Sequence, residues 1–471
     1  MIPSLRPNSR RVVIVGGGIA GLSVAHALLG RGARARGIEV VVLERAARAG
    51  GNIRTEHVDG YACEWGPNGF LDNAPATLDL VRALGLQDRL QPSNDAARRR
   101  FIFRNGRLHP LPGGVWDFLS SGVLSWPAKL RLALEPAARG RPDEDETIHA
   151  FAARRIGDEA ADVLVDAMVS GVFGGDARAL SLRACFPKMW QMETDHGGLF
   201  RALLARRSAW PRRGGAAIGS PLGRLTSFAG GSEELVRALA ASLADAVRTG
   251  VDVHEVQHTT RGYRVKVRDG APIDADVVVL GGGAAATARM VRTLDDGLAD
   301  TLAGIPSAPM VVACLGFRTE RLPAPLDGFG FLVPRTEGLR TLGVLWDSSI
   351  FPSRAPGGHA LMRVMIGGAT DPAAVELDDR QVLAVVEQDL GTTMGIAVPP
   401  EFVRIVRHRG GIPQYTVGHL ERLARAERQL ARWPGLELAG NGYRGVAINA
   451  CVADAGPTAT RVLAHCERIA A

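Results

Sequence analysis

Lysine is scarce. Lys129, Lys188 and Lys266 are the only three among 471 residues, and arginine supplies the rest of the 56 basic side chains. Against 49 acidic residues this leaves a net charge of +7. No arginine-rich arm or recognition motif accompanies that charge, so nucleic acid is not an expected partner. A mild positive balance suits an acidic substrate or an anionic membrane surface instead. Cysteine is sparse too: Cys63, Cys185, Cys314, Cys451 and Cys466 stand far apart and form no C-x-x-C pair. That argues against a disulfide framework or a zinc site and suits a reducing compartment. Aromatic residues make up only 5%, with four tyrosines. No run of about 18 apolar residues exists, so no membrane-spanning helix is expected. No signal peptide is expected either, because the first apolar run leads straight into a glycine turn. H-E-x-x-H and G-x-S-x-G are both missing, so neither a metal centre nor a nucleophile elbow is anticipated.

What is present begins with "RRVVIVGGGIAGLSVAHALL" (10–29). "RVVIV" (11–15) is short, β-branched and apolar throughout, the pattern of a buried parallel strand. Gly16, Gly17, Gly18, Ile19, Ala20 and Gly21 follow, with Gly16, Gly18 and Gly21 in G-x-G-x-x-G spacing. Gly16 permits the tight turn, Gly18 lets a pyrophosphate approach the backbone, and Gly21 lets the helix pack on the strand. A helix over 19–30 would aim its N-terminal N–H groups at the phosphates. A second strand, "IEVVVLE", ends in Glu44, 23 positions after Gly21. The usual spacing is about 20, and it places a carboxylate on a ribose 2′-OH. Strand, turn, helix, strand and acid in that order predict a dinucleotide site. The next stretch, "RAARAGGNIRT", carries Arg45, the doublet Gly50-Gly51, then Asn52, Arg54 and Thr55. It resembles the glycine-doublet extension of the flavin-dependent amine oxidase superfamily and tilts the choice from NAD to FAD.

A chain of this length is expected to form two or three domains. "IDADVVVLGGGAAATA" (273–288) reads as a buried strand returning to the nucleotide sheet, preceded by an alternating strand, "VDVHEVQ" (251–257). Near the end, "LELAGNGYRGVAINACVADAGPTATRVLA" gives a strand, then Gly440, Gly442 and Gly445, then a helix. The N-terminus of that helix, near Val446 to Ile448, would face the flavin N1/O2 edge. A fixed dipole there favours the negative charge that reduction builds. Residues 148–209 are helical in pattern, broken by "SGVFGGD" (170–176), and 305–370 are strand-like. "PAARGRPDEDET" (136–147) and "WPRRGGAAIGSPLG" (210–223) are the most linker-like stretches. In 110–135, Trp116, Phe118, Leu119, Leu124 and Trp126 precede Lys129 and Arg131, a mixture that can lie in a bilayer interface.

Together with these features, "EWGPNGF", "RFIFRNGRLHPLP", "FLSSGVLSWPAKLRLALEP", "SGVFGGDARALS", "GFGFLVP", "IPQYTVGHLERL" and "AGNGYRGVAINACVADA" resemble the oxygen-dependent protoporphyrinogen oxidases of haem biosynthesis almost end to end. The resemblance implies an α/β fold with α+β insertions. Its parts would be a Rossmann-like FAD domain (1–92, 222–289 and 430–471), a helical membrane-associated domain (93–221) and a mixed-sheet substrate domain (290–429). It implies hydride removal from a methylene bridge of protoporphyrinogen IX to flavin N5, in three two-electron rounds, with O2 reoxidising the flavin to give H2O2. It implies a cytoplasmic protein bound peripherally to the inner face of the cell membrane. A homodimer and hand-over of the tetrapyrrole to a ferrochelatase are further partners it suggests.

Carried over residue by residue, Arg100 matches an arginine that pairs with a substrate propionate, for which a guanidinium fork is suited. Leu332 and Leu345 match positions that sandwich the tetrapyrrole, Met365 stands where plant enzymes have an aromatic, and Gly171 matches a backbone contact. Gly51, Asn52, Gly66, Pro67, Asn68 and Gly69 match flavin contacts, as do Gly440, Asn441, Val446, Ala447 and Ile448; Val253 matches a backbone contact to the adenine. Ala167 falls where proline is expected and Gly174 where alanine is usual. No residue presents itself as a general base. A flavin amine oxidase, a carotenoid-type desaturase, a coproporphyrinogen III oxidase and a flavin-carrying interaction protein are the rival readings. Amine oxidases show an aromatic cage and a lysine near the flavin, a desaturase gives no reason for Arg100, and coproporphyrinogen asks for more cations at the cavity.

Overall fold

A computed structural model describes residues 10–138, 144–202 and 223–470. Of the two linker-like stretches, 139–143 and 210–222 lie outside the described residues.

A five-stranded parallel sheet sits at the centre, in the order Val247–Arg248, Ile38–Leu43, Arg10–Val15, Val277–Leu280, Leu436–Leu438. Its strands are apolar on both faces because both are covered. Val12, Ile14, Val40, Val42, Val277 and Val279 pack against the first helix (Ile19–Gly30), the helix Glu233–Ser242 and the C-terminal helix (Ile448–Arg468). Val13, Val15, Val41, Leu43, Val278 and Leu280, one residue out of phase, pack against a three-stranded sheet and the helices Asp296–Ala303 and His419–Leu430. The expected α/β core is therefore present, with its strands drawn from widely separated parts of the chain.

The second large element is a seven-stranded mixed sheet, ordered Phe402–Pro413, Ser307–Arg318, His359–Gly367, Thr341–Leu345, Gly330–Leu332, Arg100–Arg104, Arg107–Pro110. One face carries Val311, Ala313, Leu315, Phe331, Val344, Val364 and Ile366, and buries them against Val382, Val386 and Leu390 of the helix Asp379–Met394. Residues 100–110, expected to fall in the helical domain (93–221), instead form the last two strands at one end of this sheet. Alternation explains this: Phe103 joins the core on the helix side while Ile102 joins a cluster on the opposite side.

The inserted helices pack around buried charge. Arg155 is almost wholly buried and sits 2.5 Å from Glu135, which also accepts from the N–H groups of Leu199 and Phe200. The break expected over 170–176 falls later, since the helix Asp166–Phe173 runs through "SGVF". It stops at Gly174, whose φ of 53° is left-handed, which accounts for glycine there in place of the family's alanine. Lys129, part of a stretch whose mixture can lie in a bilayer interface, turns inward; it is buried, and its Nζ donates to the carbonyls of Leu119 and Ser121 at 2.7 Å each.

The first helix approaches its strand closely because Gly21 lacks a side chain: a Cβ there would lie 2.0 Å from the Gly16 carbonyl oxygen. Gly21→Ala must push backbone from backbone. It is expected to destabilise the protein by about 1–3 kcal/mol in urea denaturation.

Candidate active site

Three glycine turns meet at the carboxyl ends of neighbouring parallel strands, where open α/β sheets place their ligands. Gly16, at φ 109°, lies so near Gly281 that a Cβ would touch its carbonyl carbon at 3.0 Å. Gly440 in turn faces Gly281 and Ala20. At Gly18 the space is open; a Cβ would find only the Gly51 Cα, 4.0 Å away. No side chain caps the first helix, which begins at Ile19, and its first turn holds no acid. Its leading N–H groups are left for a ligand, and the dipole favours an anion. The C-terminal helix begins at Ile448 after Ala447 in the same uncapped state.

Glu44 closes one side of the cleft. Its Oε2 accepts from the Gly17 N–H and its Oε1 from the Ala46 N–H, both at 2.8 Å. The Val251 N–H donates to the Glu44 carbonyl at 2.9 Å, bringing the strand that carries buried Val253 alongside. Arg45 is exposed beyond the acid. Gly50 and Gly51 are held by the Gly50 N–H to the Gly17 carbonyl at 2.7 Å and by Arg48, which donates to the carbonyls of Ala49 and Gly51. No motif singles out Arg48. Asn52 abuts Gly66, where a Cβ would lie 2.5 Å from the Asn52 carbonyl oxygen, and Arg54 stacks 3.8 Å over the Trp65 ring. An open phosphate cradle, a ribose carboxylate and two uncapped helix ends fit a dinucleotide.

The matched substrate positions meet on the face of the mixed sheet opposite the helix Asp379–Met394. Cross-strand partners share a face. Strand pairing aligns Arg100, Gly330, Leu345, Arg363 and Cys314 in one row, and Ile102, Leu332, Gly343, Met365 and Val312 in the next. Gly330 and Gly343 add no side chain to that face, and Leu332, Leu345 and Met365 remain half-buried around them. Gly171 closes the same side, since a Cβ on it would strike Leu332 Cδ2 at 2.3 Å. Val446 packs with Val169 and Phe173 of that helix, so the flavin-side turn adjoins the slot.

The arginine run at 98–100 separates by partner. Arg98 pairs with Asp95 and Arg99 with Asp327. Arg100 has no carboxylate partner among the described residues. Its guanidinium lies 5.0 Å over the Phe329 ring, and desolvation holds its pKa below the usual arginine value although it remains accessible.

Between slot and cradle lies a buried charge cluster that sequence reading did not find, apart from Asn68. Arg363 donates to the Glu64 and Gly66 carbonyls at 3.2 and 2.8 Å, and its Nε approaches Asp347 Oδ2 at 3.2 Å. Asn68 donates to Asp347 Oδ1 at 3.1 Å, and its own Oδ1 is buried without a partner. Glu64 accepts from Thr55 and Ser232 and sits 3.1 Å from Arg354. Burial pushes the Asp347 and Glu64 carboxyls up, opposed by Arg363 and Arg354 respectively. The cluster fastens the Gly66–Gly69 segment to the sheet that carries the slot. Gly69 itself is pressed onto the Thr226 carbonyl, and Pro67 O accepts from the Ser232 hydroxyl.

A cradle for a dinucleotide beside an apolar slot defines a flavin oxidoreductase, and comparison with known proteins agrees. Residues 19–463 match the model of the flavin containing amine oxidoreductases. The chain belongs to that family, and its cofactor is FAD. It is 34% identical to the protoporphyrinogen oxidase of Bos taurus over 96% of this chain and 98% of that one. It is 30% identical to the coproporphyrinogen III oxidase of Bacillus subtilis over 94% and 96%. A solved structure from Exiguobacterium sp. 255-15 superimposes with a TM-score of 0.84 at 27% identity, covering 98% of this chain and 100% of that one.

Arg363→Met would leave Asp347 buried without its cation. We expect a loss of about 3–5 kcal/mol in chemical denaturation. Much of it should return in the double variant Arg363→Met/Asp347→Leu.

Proposed function

We propose that the protein oxidises protoporphyrinogen IX to protoporphyrin IX, using O2 as the final electron acceptor and releasing H2O2. The observation that carries this reading is the register of the mixed sheet. It sets Leu332, Leu345 and Met365 on one face with Arg100, an arginine without a carboxylate partner among the described residues that shares a row with Leu345. A flat apolar ring system bearing carboxylates matches that pattern: the ring takes the apolar side chains and a propionate takes the guanidinium fork. FAD, when bound, would supply the two-electron acceptor that oxidation of a methylene bridge requires.

The chain's own residues orient the reactants. Gly171 keeps the helix Asp166–Phe173 close to Leu332. The uncapped end at Ala447 and Ile448 offers N–H groups where negative charge develops. Asn68, tied to Asp347, holds the Gly66–Gly69 turn against the ring system. The division into an FAD domain (1–92, 222–289, 430–471), a substrate domain (290–429) and an inserted helical domain (93–221) belongs to this reading, with the strands at 100–110 lent to the substrate sheet.

Coproporphyrinogen III carries more carboxylates and asks for more free cations. On this face Arg363 is occupied by Asp347 and two carbonyls, which favours the substrate with fewer acids. An amine oxidase cage is disfavoured because Tyr61, Tyr263, Tyr415 and Tyr443 are all buried, with the hydroxyls of Tyr263 and Tyr415 engaged by backbone groups. No helix among the described residues is long and apolar enough to cross a membrane. Trp116 (83% exposed), Trp126 (67%), Leu130 (65%) and Leu134 (53%) nevertheless project from the inserted helices. They support a cytoplasmic protein resting peripherally on the inner face of the cell membrane, positioned to pass its product to a ferrochelatase. A homodimer is part of the same reading.

The flavin-loaded protein, given protoporphyrinogen IX or coproporphyrinogen III in air, should show porphyrin fluorescence rising with peroxide, faster for the former. Equal or faster use of coproporphyrinogen would transfer the assignment to that substrate. Arg100→Ala should lower kcat/KM by about 1.5–3 kcal/mol, roughly 10- to 150-fold, with bound flavin unchanged. Flavin loss in that variant would make Arg100 a structural residue.

A further inference from the structure

The motif "IPQYTVGH" (412–419) takes no part in the slot or the phosphate cradle, yet it touches both sides of the site. Tyr415 is buried, and its hydroxyl donates to the Asn441 carbonyl at 2.5 Å while accepting from the Gly445 N–H at 2.7 Å. One hydroxyl thus pins the segment just before Val446 at two points. Gly440 and Gly445, at φ 118° and 115°, bracket a turn that has little regular structure of its own. The phenol ring stacks on His419, centroids 3.9 Å apart and planes 15° from parallel. His419 is 1% exposed, its Nε2 lies 3.1 Å from the Tyr443 carbonyl, and burial lowers its pKa, so the imidazole is neutral and donates there. The same strand end reaches the substrate side. The Tyr415 carbonyl accepts from the Ser181 N–H at 2.8 Å, and Gln414 Nε2 donates to the Phe173 carbonyl at 2.9 Å.

We propose that Tyr415, stacked on His419, is the positioning residue that sets the 440–447 turn and so aims the N-terminus of the last helix at the flavin. This rests on the reading that Asn441 and Val446 to Ile448 contact the cofactor. A hydroxyl that satisfies two half-buried backbone groups leaves both without that partner when removed. With the turn loosened, the helix dipole is no longer held against the edge of the ring where reduction places negative charge.

Tyr415→Phe deletes the hydroxyl and keeps the stack. In the purified protein, FAD affinity is read by quenching of flavin fluorescence and the midpoint potential of the bound flavin by spectroelectrochemistry. We expect an FAD Kd raised roughly 10-fold and a potential shifted to a more negative value. His419→Gln, which retains a donor for the Tyr443 carbonyl but loses the stack, should shift both quantities in the same direction by less. It serves as the test if the first variant fails to fold. Unchanged Kd and potential in a folded variant, even one with a lowered melting temperature, would overturn the proposal. No porphyrinogen enters this experiment, so a wrong substrate assignment would leave its outcome untouched.

Discussion

Two helix ends without capping side chains are the constraint on which the rest of the structure depends. The helices Ile19–Gly30 and Ile448–Arg468 both begin without a capping side chain and without an acid in the first turn. Leading N–H groups at such ends take acceptors from outside the helix or from its own first turn, as the Ala450 N–H does from the Ala447 carbonyl at 3.1 Å. The glycines at 16, 281 and 440 let three strand ends crowd close enough that one elongated anionic cofactor can satisfy both ends. The parallel sheet and its two buried faces hold those turns in register.

The substrate side follows a different logic. Nothing local places Arg100, Leu332, Leu345 and Met365 together; pairing across four strands does. Two glycines in the same rows add no side chain between them. The buried Glu64–Arg354 and Asp347–Arg363 pairs then join this sheet to the flavin turn at 66–69. Buried pairs of this kind are weak sources of stability but define geometry well, because either partner alone is strongly disfavoured.

The nucleotide half of the site was legible in the sequence because its signals are local: a β-branched strand, glycines at fixed spacing, an acid at the end of the next strand. The slot residues were reached through family resemblance, and their common face depends on long-range register that no local pattern reports. Asp347 and Arg363 were not legible at all. Asn68 meets Asp347 across 279 residues of sequence, and an isolated charge in an apolar strand gives no sign of its partner. The inward turn of Lys129 was not legible for a related reason. A lysine beside exposed tryptophans has the same sequence whether its Nζ reaches water or folds back onto carbonyls. The strands at 100–110 went unrecognised because a short hairpin carries too few residues to declare its period before it pairs.

The most direct test is a single anaerobic mixing experiment. Flavin-loaded protein meets a stoichiometric amount of protoporphyrinogen IX in the absence of oxygen, and the flavin absorption is followed. The account predicts immediate bleaching of the oxidised flavin bands, and their return when air is admitted. An oxidised spectrum that persists in the presence of excess porphyrinogen would contradict it.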